Sequence, residues 1–311
     1  MIKVAINGFG RIGRAAAKIV MDDPNMELVA INDLGDAKTL AHLLKYDSCY
    51  GIYEKEVGWA EKEIIIGSQR VHFYGEKDPG ALPWREFEID VVIESTGIFL
   101  TAEKAQPHIN AGAKKVVLSA PGKDDSVPTF IMGVNAKNYN GEPIISNASC
   151  TTNCIGPIMY VLEKKFGIEK SLMTTVHSYT ADQNLVDAPH KDLRRARAAA
   201  LNIVPTSTGA AKALGKVLPE VNGIFDGLAI RVPSPVVSLS DITAVLKTKT
   251  SVEEINAAFE EAANGELKDL LIASNEPIVS TDLVQNTAST IVDLELTNVM
   301  SGDLVKVVGW Y

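Results

Sequence analysis

The sequence predicts an α/β protein with two domains: a doubly wound parallel sheet, followed by an α+β domain with a mixed, largely antiparallel sheet. At 311 residues the chain is too long for one small core and suits two domains. Its first half alternates strand-length apolar runs with stretches of helical period, whereas its second half consists mainly of strands. We expect the domains to span residues 1–149 and 150–311.

The first domain is predicted from continuous apolar runs, which are typical of strands buried on both faces of a parallel sheet. These runs cover residues 4–6, 28–31, 91–93 and 116–118. Good helix formers at residues 14–20 separate the first two runs, which gives a βαβ unit. Between residues 52 and 75, short alternating segments indicate an antiparallel excursion from this sheet.

The second domain is predicted to open with a long helix that begins near Cys150. Strands are predicted at residues 172–177, 228–232, 239–247, 291–296 and 304–311, and helices at 208–218 and 252–263. This pattern indicates a sheet that is covered by helices on one face.

Composition restricts the partners and compartment that we expect. The net charge of −9 makes nucleic acid a poor partner. No apolar stretch approaches the ~20 residues that a membrane-spanning helix needs, so we expect no membrane attachment. The amino terminus lacks the layout of a signal peptide. Three cysteines are too few for a disulfide framework, so we expect a reducing cytoplasm.

A Gly-x-Gly-x-x-Gly motif occupies positions 8, 10 and 13. Alone it is a weak signal, because glycines often mark plain turns. Here a predicted strand precedes it and a helix follows, which is the context of a Rossmann dinucleotide site. Gly8 would allow the tight turn, Gly10 the approach of the pyrophosphate, and Gly13 the packing of helix against strand. The amino end of the helix would bind the phosphates.

Asp33 follows the second predicted strand, about 20 residues beyond Gly13. A carboxylate there accepts hydrogen bonds from the adenosine ribose hydroxyls and repels a 2′-phosphate, which favours NAD over NADP. The alternative is a turn or helix-cap residue before Leu34-Gly35-Asp36. The spacing favours the cofactor interpretation.

Cys150 opens the first helix of the second domain, where the positive field of a helix amino terminus lowers a thiol pKa. With Cys154 it forms a CxxxC pair, for which a redox couple or half of a metal site are the alternatives. Too few cysteines and histidines remain to complete a zinc site, so we expect no metal. An inert buried thiol suits Cys154 well, and Cys49 is interpreted as an incidental thiol.

His177 ends a predicted strand. A lone histidine there is more often a surface or core residue than a catalyst, but this one stands in a run of hydroxyl-bearing and small residues. If His177 meets Cys150 in space, it can take the thiol proton and later polarise a substrate oxygen.

Together these segments resemble phosphorylating glyceraldehyde-3-phosphate dehydrogenase (type I), and the resemblance extends from Lys3 to the final Trp310-Tyr311. Its most specific blocks are residues 146–154, 177–180, 189–197 and 208–212. The resemblance implies an NAD-dependent enzyme that converts D-glyceraldehyde 3-phosphate and inorganic phosphate reversibly to 1,3-bisphosphoglycerate through a cysteine thioester. It also implies a cytoplasmic homotetramer with a role in glycolysis or gluconeogenesis, in which a loop around residues 178–200 reaches a neighbour's cofactor.

The resemblance assigns roles to individual residues. Cys150 would be the nucleophile and His177 its base, while Thr180 and Arg231 would bind the substrate phosphate. The implied inorganic phosphate site consists of Ser149, Thr151, Arg195, Thr208 and Gly209. The implied cofactor contacts are Gly8, Gly10, Arg11, Ile12, Gly13, Asp33, Lys77, Thr96 and Ser119. Without the family block, the basic cluster at residues 194–197 would be interpreted as a solvated face.

The sequence departs from the family pattern at three places. Family members continue beyond Tyr311 with an asparagine that fixes the nicotinamide carboxamide and with a terminal helix. If no such tail exists, we expect weaker NAD binding, lower turnover and an exposed apolar patch. Val236 replaces a polar residue, which would alter a local or subunit contact. Ala188 stands where NAD enzymes often have Leu, so some NADP use stays open.

Two other functions remain open from the sequence. Erythrose-4-phosphate dehydrogenase shares the fold, the cysteine and the histidine. A low-activity binding or moonlighting protein is the second alternative, and an intact set of Cys150, His177 and Arg231 argues against it.

Overall fold

A computed structural model describes residues 1–311, which form two compact units. The first unit comprises Met1–Phe130 and Tyr139–Ala148, and the second comprises Ile131–Asn138 and Ser149–Tyr311. The second unit therefore begins one residue before the expected boundary and also takes in residues 131–138. The reason for this assignment is packing: a Cβ at Gly156 in the second unit would lie 3.3 Å from the side chain of Ile131.

The first unit contains ten strands and three α-helices. Its strands are β1 Ile2–Asn7, β2 Met26–Asn32, β3 Tyr46–Asp47, β4 Gly51–Ile52, β5 Val57–Ala60, β6 Glu63–Ile66, β7 Gln69–Tyr74, β8 Val91–Glu94, β9 Lys115–Leu118 and β10 Ile144–Ser146. Its α-helices are α1 Arg11–Asp22, α2 Ala37–Lys45 and α3 Ala102–Asn110.

Eight of these strands form one sheet in the order β10-β9-β8-β1-β2-β7-β6-β5. From β10 to β7 every neighbouring pair is parallel, whereas β7–β6 and β6–β5 are antiparallel. Val4 and Ile6 of β1 pack into one apolar cluster and Ala5 into another, so both faces of the sheet are buried. The predicted doubly wound sheet and its antiparallel excursion at residues 52–75 are confirmed.

The second unit contains seven strands and three α-helices. Its strands are β11 Ile168–Ser178, β12 Val204–Ser207, β13 Phe225–Val232, β14 Leu239–Leu246, β15 Leu271–Ser274, β16 Thr290–Met300 and β17 Leu304–Trp310. Its α-helices are α4 Cys150–Phe166, α5 Ala210–Val217 and α6 Val252–Asn264.

The seven strands form one sheet in the order β12-β13-β11-β14-β17-β16-β15. Only β11–β13 and β15–β16 are parallel pairs, so the predicted mixed, largely antiparallel sheet is confirmed. Buried positions alternate with half-buried ones along β14, as expected when helices cover one face. Gly309 of β17 leaves room on that face for Ile158 of α4. None of the helices has the length and apolar content needed to cross a bilayer.

Candidate active site

A thiol and an imidazole meet at the start of α4. Ser149 caps this helix, because its hydroxyl accepts a hydrogen bond from the Thr152 N–H at 3.1 Å. The cap places Cys150 at the first helical position, where its side chain is exposed and where the backbone N–H groups have no partner within the helix. His177 reaches the same point from β11, and its Nε2 lies 3.6 Å from Sγ of Cys150. The structure therefore brings together two residues that are 27 positions apart in the chain.

The hydrogen bonds of His177 define its tautomer. Its Nδ1 lies 2.7 Å from the carbonyl oxygen of Ser178, which can only accept, so Nδ1 carries the hydrogen. The Nε2 lone pair of the neutral ring then faces the thiol of Cys150. Burial, together with the charges of Arg231 and Arg195, lowers the pKa of His177 from 6.5 to about 4. The ring is therefore neutral near pH 7 and can accept the thiol proton.

Tyr311 supports the imidazole, a role that was not predicted from the sequence. Its hydroxyl lies 2.8 Å from Oγ1 of Thr151 and 2.6 Å from Oγ1 of Thr175. Its ring meets the ring of His177 edge-on, with the centroids 5.8 Å apart. Burial raises the pKa of Tyr311, which stays protonated. The sequence did indicate that Tyr311 has a hydrogen-bond partner, because the hydroxyl of a tyrosine that follows an apolar strand needs one when it is buried.

Arg231 forms the first of two cationic groups beside the thiol. It lies on β13, directly opposite His177 in the parallel register with β11. Its Nη1 donates to the Ser178 carbonyl and to Oγ1 of Thr180, both at 3.1 Å, which brings the predicted pair Thr180 and Arg231 together. Its Nε is buried without a partner, and burial lowers the pKa of its guanidinium. A buried donor without a partner favours an anion at this position.

Arg195 forms the second cationic group and is fixed from three sides. Its Nε donates to Oγ1 of Thr206 at 3.0 Å, its Nη2 to the carbonyl of Ser207 at 3.3 Å, and its Nη1 pairs with the carboxylate of Asp182. Asp192 accepts from the hydroxyl of Thr206 at 2.7 Å and so supports the same arrangement. No role was predicted for Asp182 or Asp192, because the sequence does not show which side chains these carboxylates contact.

The remaining predicted phosphate contacts differ in whether their polar groups already have hydrogen-bond partners within the protein. The hydroxyl of Thr151 is buried and bonded to Tyr311. Oγ of Ser149 lies 2.7 Å from Oγ1 of Thr152. Thr208 accepts from the N–H of Ala210 at 3.2 Å at the start of α5. Beside it, a Cβ at Gly209 would meet no atom within 4 Å, so this backbone borders open space.

Cys154 lies one turn along α4 and is completely buried. Its Sγ lies 3.3 Å from Oγ1 of Thr290 and 3.7 Å from the carbonyl oxygen of Gly309. Burial raises the pKa of this thiol to about 12. The inert interpretation of Cys154 therefore fits the structure better than a redox couple.

The glycine motif of the first unit has the geometry that the cofactor interpretation requires. Gly8 has φ +92°, and a Cβ there would lie 2.7 Å from the backbone nitrogen of Thr96. A Cβ at Gly13 would overlap the carbonyl oxygen of Gly8, so α1 and the turn pack too closely for a side chain. At Gly10 a Cβ would meet nothing within 4 Å, which leaves the space that a pyrophosphate needs.

Asp33 follows β2 and faces this turn. Its Oδ2 accepts from the N–H of Phe9 at 2.6 Å, and its Oδ1 accepts from the N–H of Gly35 at 2.8 Å. The second bond is the local turn that the alternative interpretation anticipated. The helix-cap role belongs to Asp36, whose side chain accepts from the N–H of Thr39 at the start of α2.

The other predicted cofactor residues follow neighbouring strands of the same sheet. Arg11 begins α1, and its Nη1 pairs with Oδ2 of Asp47 at 2.6 Å, while Ile12 is exposed. Lys77, Thr96 and Ser119 come after β7, β8 and β9 respectively. Because the carboxyl ends of parallel strands meet at one edge, these segments share an edge with Gly8 and Asp33. This edge fits a dinucleotide.

The fold and the two sets of residues are typical of a nucleotide-dependent oxidoreductase. Comparison with known proteins identifies the family. Residues 2–102 match the profile of the NAD binding domain of glyceraldehyde 3-phosphate dehydrogenase, and residues 149–311 match that of its C-terminal domain. The chain belongs to the glyceraldehyde 3-phosphate dehydrogenase family.

Curated relatives agree with this assignment. The chain is 51% identical over 312 residues to glyceraldehyde-3-phosphate dehydrogenase of Geobacillus stearothermophilus, covering 100% of this chain and 93% of the relative. It is 53% identical over 312 residues to glyceraldehyde-3-phosphate dehydrogenase 2 of Bacillus subtilis, covering 100% and 92% respectively. A chloroplastic relative, GAPA1 of Arabidopsis thaliana, is 53% identical over 314 residues, with 100% and 79% coverage.

Proposed function

We propose that this chain oxidises and phosphorylates D-glyceraldehyde 3-phosphate to 1,3-bisphosphoglycerate with NAD, reversibly, as a step of glycolysis or gluconeogenesis. The observation that carries the proposal is the 3.6 Å approach of Cys150 Sγ to the unprotonated Nε2 of a buried His177. The names of the relatives support the choice of substrate.

Cys150 and His177 perform the covalent chemistry. His177 Nε2 takes the thiol proton, and the sulfur then adds to the aldehyde carbon to form a hemithioacetal. The N–H of Cys150 and the protonated ring of His177 stabilise the oxygen, on which negative charge develops. The protonated ring of His177 gives its proton to this oxygen, and the neutral ring takes the proton back as the C–H bond breaks. NAD, when bound, would supply the acceptor for the hydride that this carbon loses. A thioester remains on Cys150. Phosphate attacks the thioester carbon, the C–S bond breaks, and the thiolate leaves.

Two anion sites follow from the cationic groups. Thr180 and Arg231 bind the phosphate of the substrate. A phosphate oxygen would accept a hydrogen bond from Nε of Arg231, which has no other partner. Inorganic phosphate binds at Arg195 together with the hydroxyl and backbone groups of Ser149, Thr151, Thr208 and Gly209. Since Tyr311 occupies the Thr151 hydroxyl, Thr151 contributes its backbone N–H at the amino end of α4.

The cofactor site lies at the carboxyl edge of the first sheet. Asp33 binds the adenosine ribose, and the amino end of α1 binds the pyrophosphate. The complete set is Gly8, Gly10, Arg11, Ile12, Gly13, Asp33, Lys77, Thr96 and Ser119. These assignments are supported by the φ of Gly8 and by the open space at Gly10.

We further propose that the chain assembles as a homotetramer in the cytoplasm. The second sheet exposes large apolar side chains on the face away from α4, among them Leu172, Leu228, Leu296 and Met300, which are 66%, 45%, 47% and 61% exposed. An apolar face of this kind favours contact with another copy of the chain. Three free thiols suit a reducing compartment.

The test is NADH formation from glyceraldehyde 3-phosphate and NAD, with and without inorganic phosphate, on the wild type and on Cys150→Ala. Strong dependence on phosphate and on Cys150 supports the proposal. Erythrose 4-phosphate is the comparison substrate. A higher kcat/KM for erythrose 4-phosphate would assign the chain to that activity instead, and a folded protein without turnover of either sugar would favour a binding role.

A further inference from the structure

A chain of buried polar side chains lies beneath the carboxyl edge of the first sheet. Trp84, Glu94 and His108 are each 0% exposed. Nε1 of Trp84 donates to Nδ1 of His108 at 3.0 Å, and Nε2 of His108 lies 3.1 Å from Oε2 of Glu94. The same carboxylate oxygen accepts from Nδ2 of Asn7 at 2.5 Å. None of the proposed catalytic steps uses these groups.

The indole determines where the imidazole carries its hydrogen. Trp84 Nε1 is a donor only, so Nδ1 of His108 must accept and carries no hydrogen. The single ring hydrogen therefore lies on Nε2 and is donated to Glu94. With the N–H and hydroxyl of Thr96 and the amide of Asn7, the two oxygens of Glu94 receive four donors. Both carboxylate oxygens therefore act only as acceptors.

The network holds three segments that carry proposed cofactor contacts. Oε1 of Glu94 accepts from the N–H of Thr96 at 2.8 Å and from its hydroxyl, which fixes the turn after β8. Asn7 immediately precedes the glycine motif, and its Oδ1 accepts from Nδ2 of Asn32 at 2.7 Å. Oδ1 of Asn32 in turn accepts from the N–H of Glu76 at 2.8 Å, beside Lys77.

We infer that Glu94, His108 and Trp84 are positioning residues for NAD. The Trp84 N–H fixes the tautomer of His108, and this tautomer keeps Glu94 bonded to Asn7 and Thr96. The turns that approach the cofactor are thereby ordered before it binds. A group of side chains that served only to fill the core would not require a buried carboxylate, which is costly to desolvate. The inference rests on the proposed cofactor site.

The first test removes the indole N–H and keeps the aromatic ring. In Trp84→Phe, Nδ1 of His108 loses its donor and the ring can adopt the other tautomer. In that tautomer Nε2 accepts from Nδ2 of Asn7, which lies 3.3 Å away, and no longer donates to Glu94. We expect the dissociation constant for NAD, measured by calorimetry, and KM for NAD to rise about threefold to tenfold. The value of kcat at saturating NAD and KM for glyceraldehyde 3-phosphate should not change. Trp59→Phe, the same change at an exposed tryptophan, is the matched control.

The second test separates hydrogen bonding from packing at His108. His108→Gln keeps a side-chain N–H that can be donated to Glu94, whereas His108→Phe fills the space without a donor. We expect His108→Phe to weaken NAD binding about tenfold or more, and His108→Gln to retain most of the affinity. If the two variants weaken NAD binding equally, or if both change only the unfolding temperature, the positioning role is wrong.

Asp33→Asn distinguishes failure of this inference from failure of the proposed cofactor site. If Asp33→Asn leaves NAD affinity unchanged, the site itself is misplaced. If Asp33→Asn weakens NAD binding and Trp84→Phe binds NAD as well as Trp59→Phe does, only the inference about the buried network is overturned.

Discussion

The cofactor edge of the first unit and the thiol site of the second unit are constructed in different ways. At the cofactor edge, each contributing segment follows directly after a strand of one parallel sheet, so the strand order alone brings the segments together. At the thiol site, residues from α4, β11, β12 and β13, with Arg195 and Tyr311, meet through long-range packing. The strand order therefore brings the segments of the first site together, with buried side-chain hydrogen bonds supporting their turns, whereas the second site is assembled by side-chain hydrogen bonds throughout.

The comparison explains how substitutions should act. Backbone cradles tolerate side-chain changes unless a Cβ enters the space of the ligand. Side-chain sites lose function when a single reacting atom is removed.

Removing the nucleophile should have the largest effect. We expect Cys150→Ala to lower kcat by about 10³-fold or more, because no other group can form the thioester. NAD affinity should be unchanged. Cys49→Ser, at a thiol for which no role is proposed, is the matched control and should keep wild-type turnover. Measurable thioester formation by Cys150→Ala would contradict the assignment.

Removing the base should have the next largest effect. His177→Asn is expected to lower kcat by about 10²- to 10⁴-fold, the range of general acid–base catalysis. The rate at which a thiol reagent modifies Cys150 at pH 7 should fall as well. Equal alkylation rates for wild type and variant, across a pH series, would show that the 3.6 Å contact does not activate the thiol.

The cofactor edge could be predicted from the sequence more fully than the thiol site, because its signals are local in the chain. The glycine spacing at 8, 10 and 13 and the position of Asp33 are local signals, and the sequence alone indicated them. The pairing of Cys150 with His177 was a hypothesis, because sequence spacing does not show a contact across the fold. The partners of the supporting residues could not be predicted: Tyr311, Asp182 and the Trp84–His108–Glu94 chain bond to side chains that are 13 to 160 positions away.

The glycine motif offers the sharpest test of the cofactor edge. Gly10→Ala fits the fold, because its Cβ would meet no protein atom within 4 Å, yet it would intrude where the pyrophosphate approaches. We expect the dissociation constant for NAD to rise about tenfold to a hundredfold, with the free energy of unfolding nearly unchanged. Gly8→Ala, at φ +92°, should weaken NAD binding and also lower the free energy of unfolding by about 1–3 kcal/mol. If Gly10→Ala binds NAD as the wild type does, the pyrophosphate lies elsewhere.

The depressed pKa of His177 makes stability depend on pH. Between pH 4 and pH 6.5 the unfolded chain binds a proton at this histidine and the folded chain does not. The free energy of unfolding therefore rises with pH in this window and falls as the solution is acidified. On acidification from pH 6.5 to pH 4, we expect the free energy of unfolding of His177→Asn to fall by about 1–3 kcal/mol less than that of the wild type, as measured by urea unfolding. Parallel curves for the two proteins would mean that His177 titrates normally.

The smallest effect is expected at Tyr311, which contacts the imidazole without reacting. Tyr311→Phe keeps the edge-on ring but leaves the hydroxyls of Thr151 and Thr175 without their shared partner. We expect the free energy of unfolding to fall by about 1–2 kcal/mol and kcat to fall only severalfold, because the ring still limits the orientation of His177. The hydrogen bonds of the tyrosine hydroxyl and the packing of its ring can be separated with Tyr311→Leu, which removes both. If Tyr311→Phe and Tyr311→Leu lower kcat equally, the hydroxyl bridge and not the ring holds the imidazole in place.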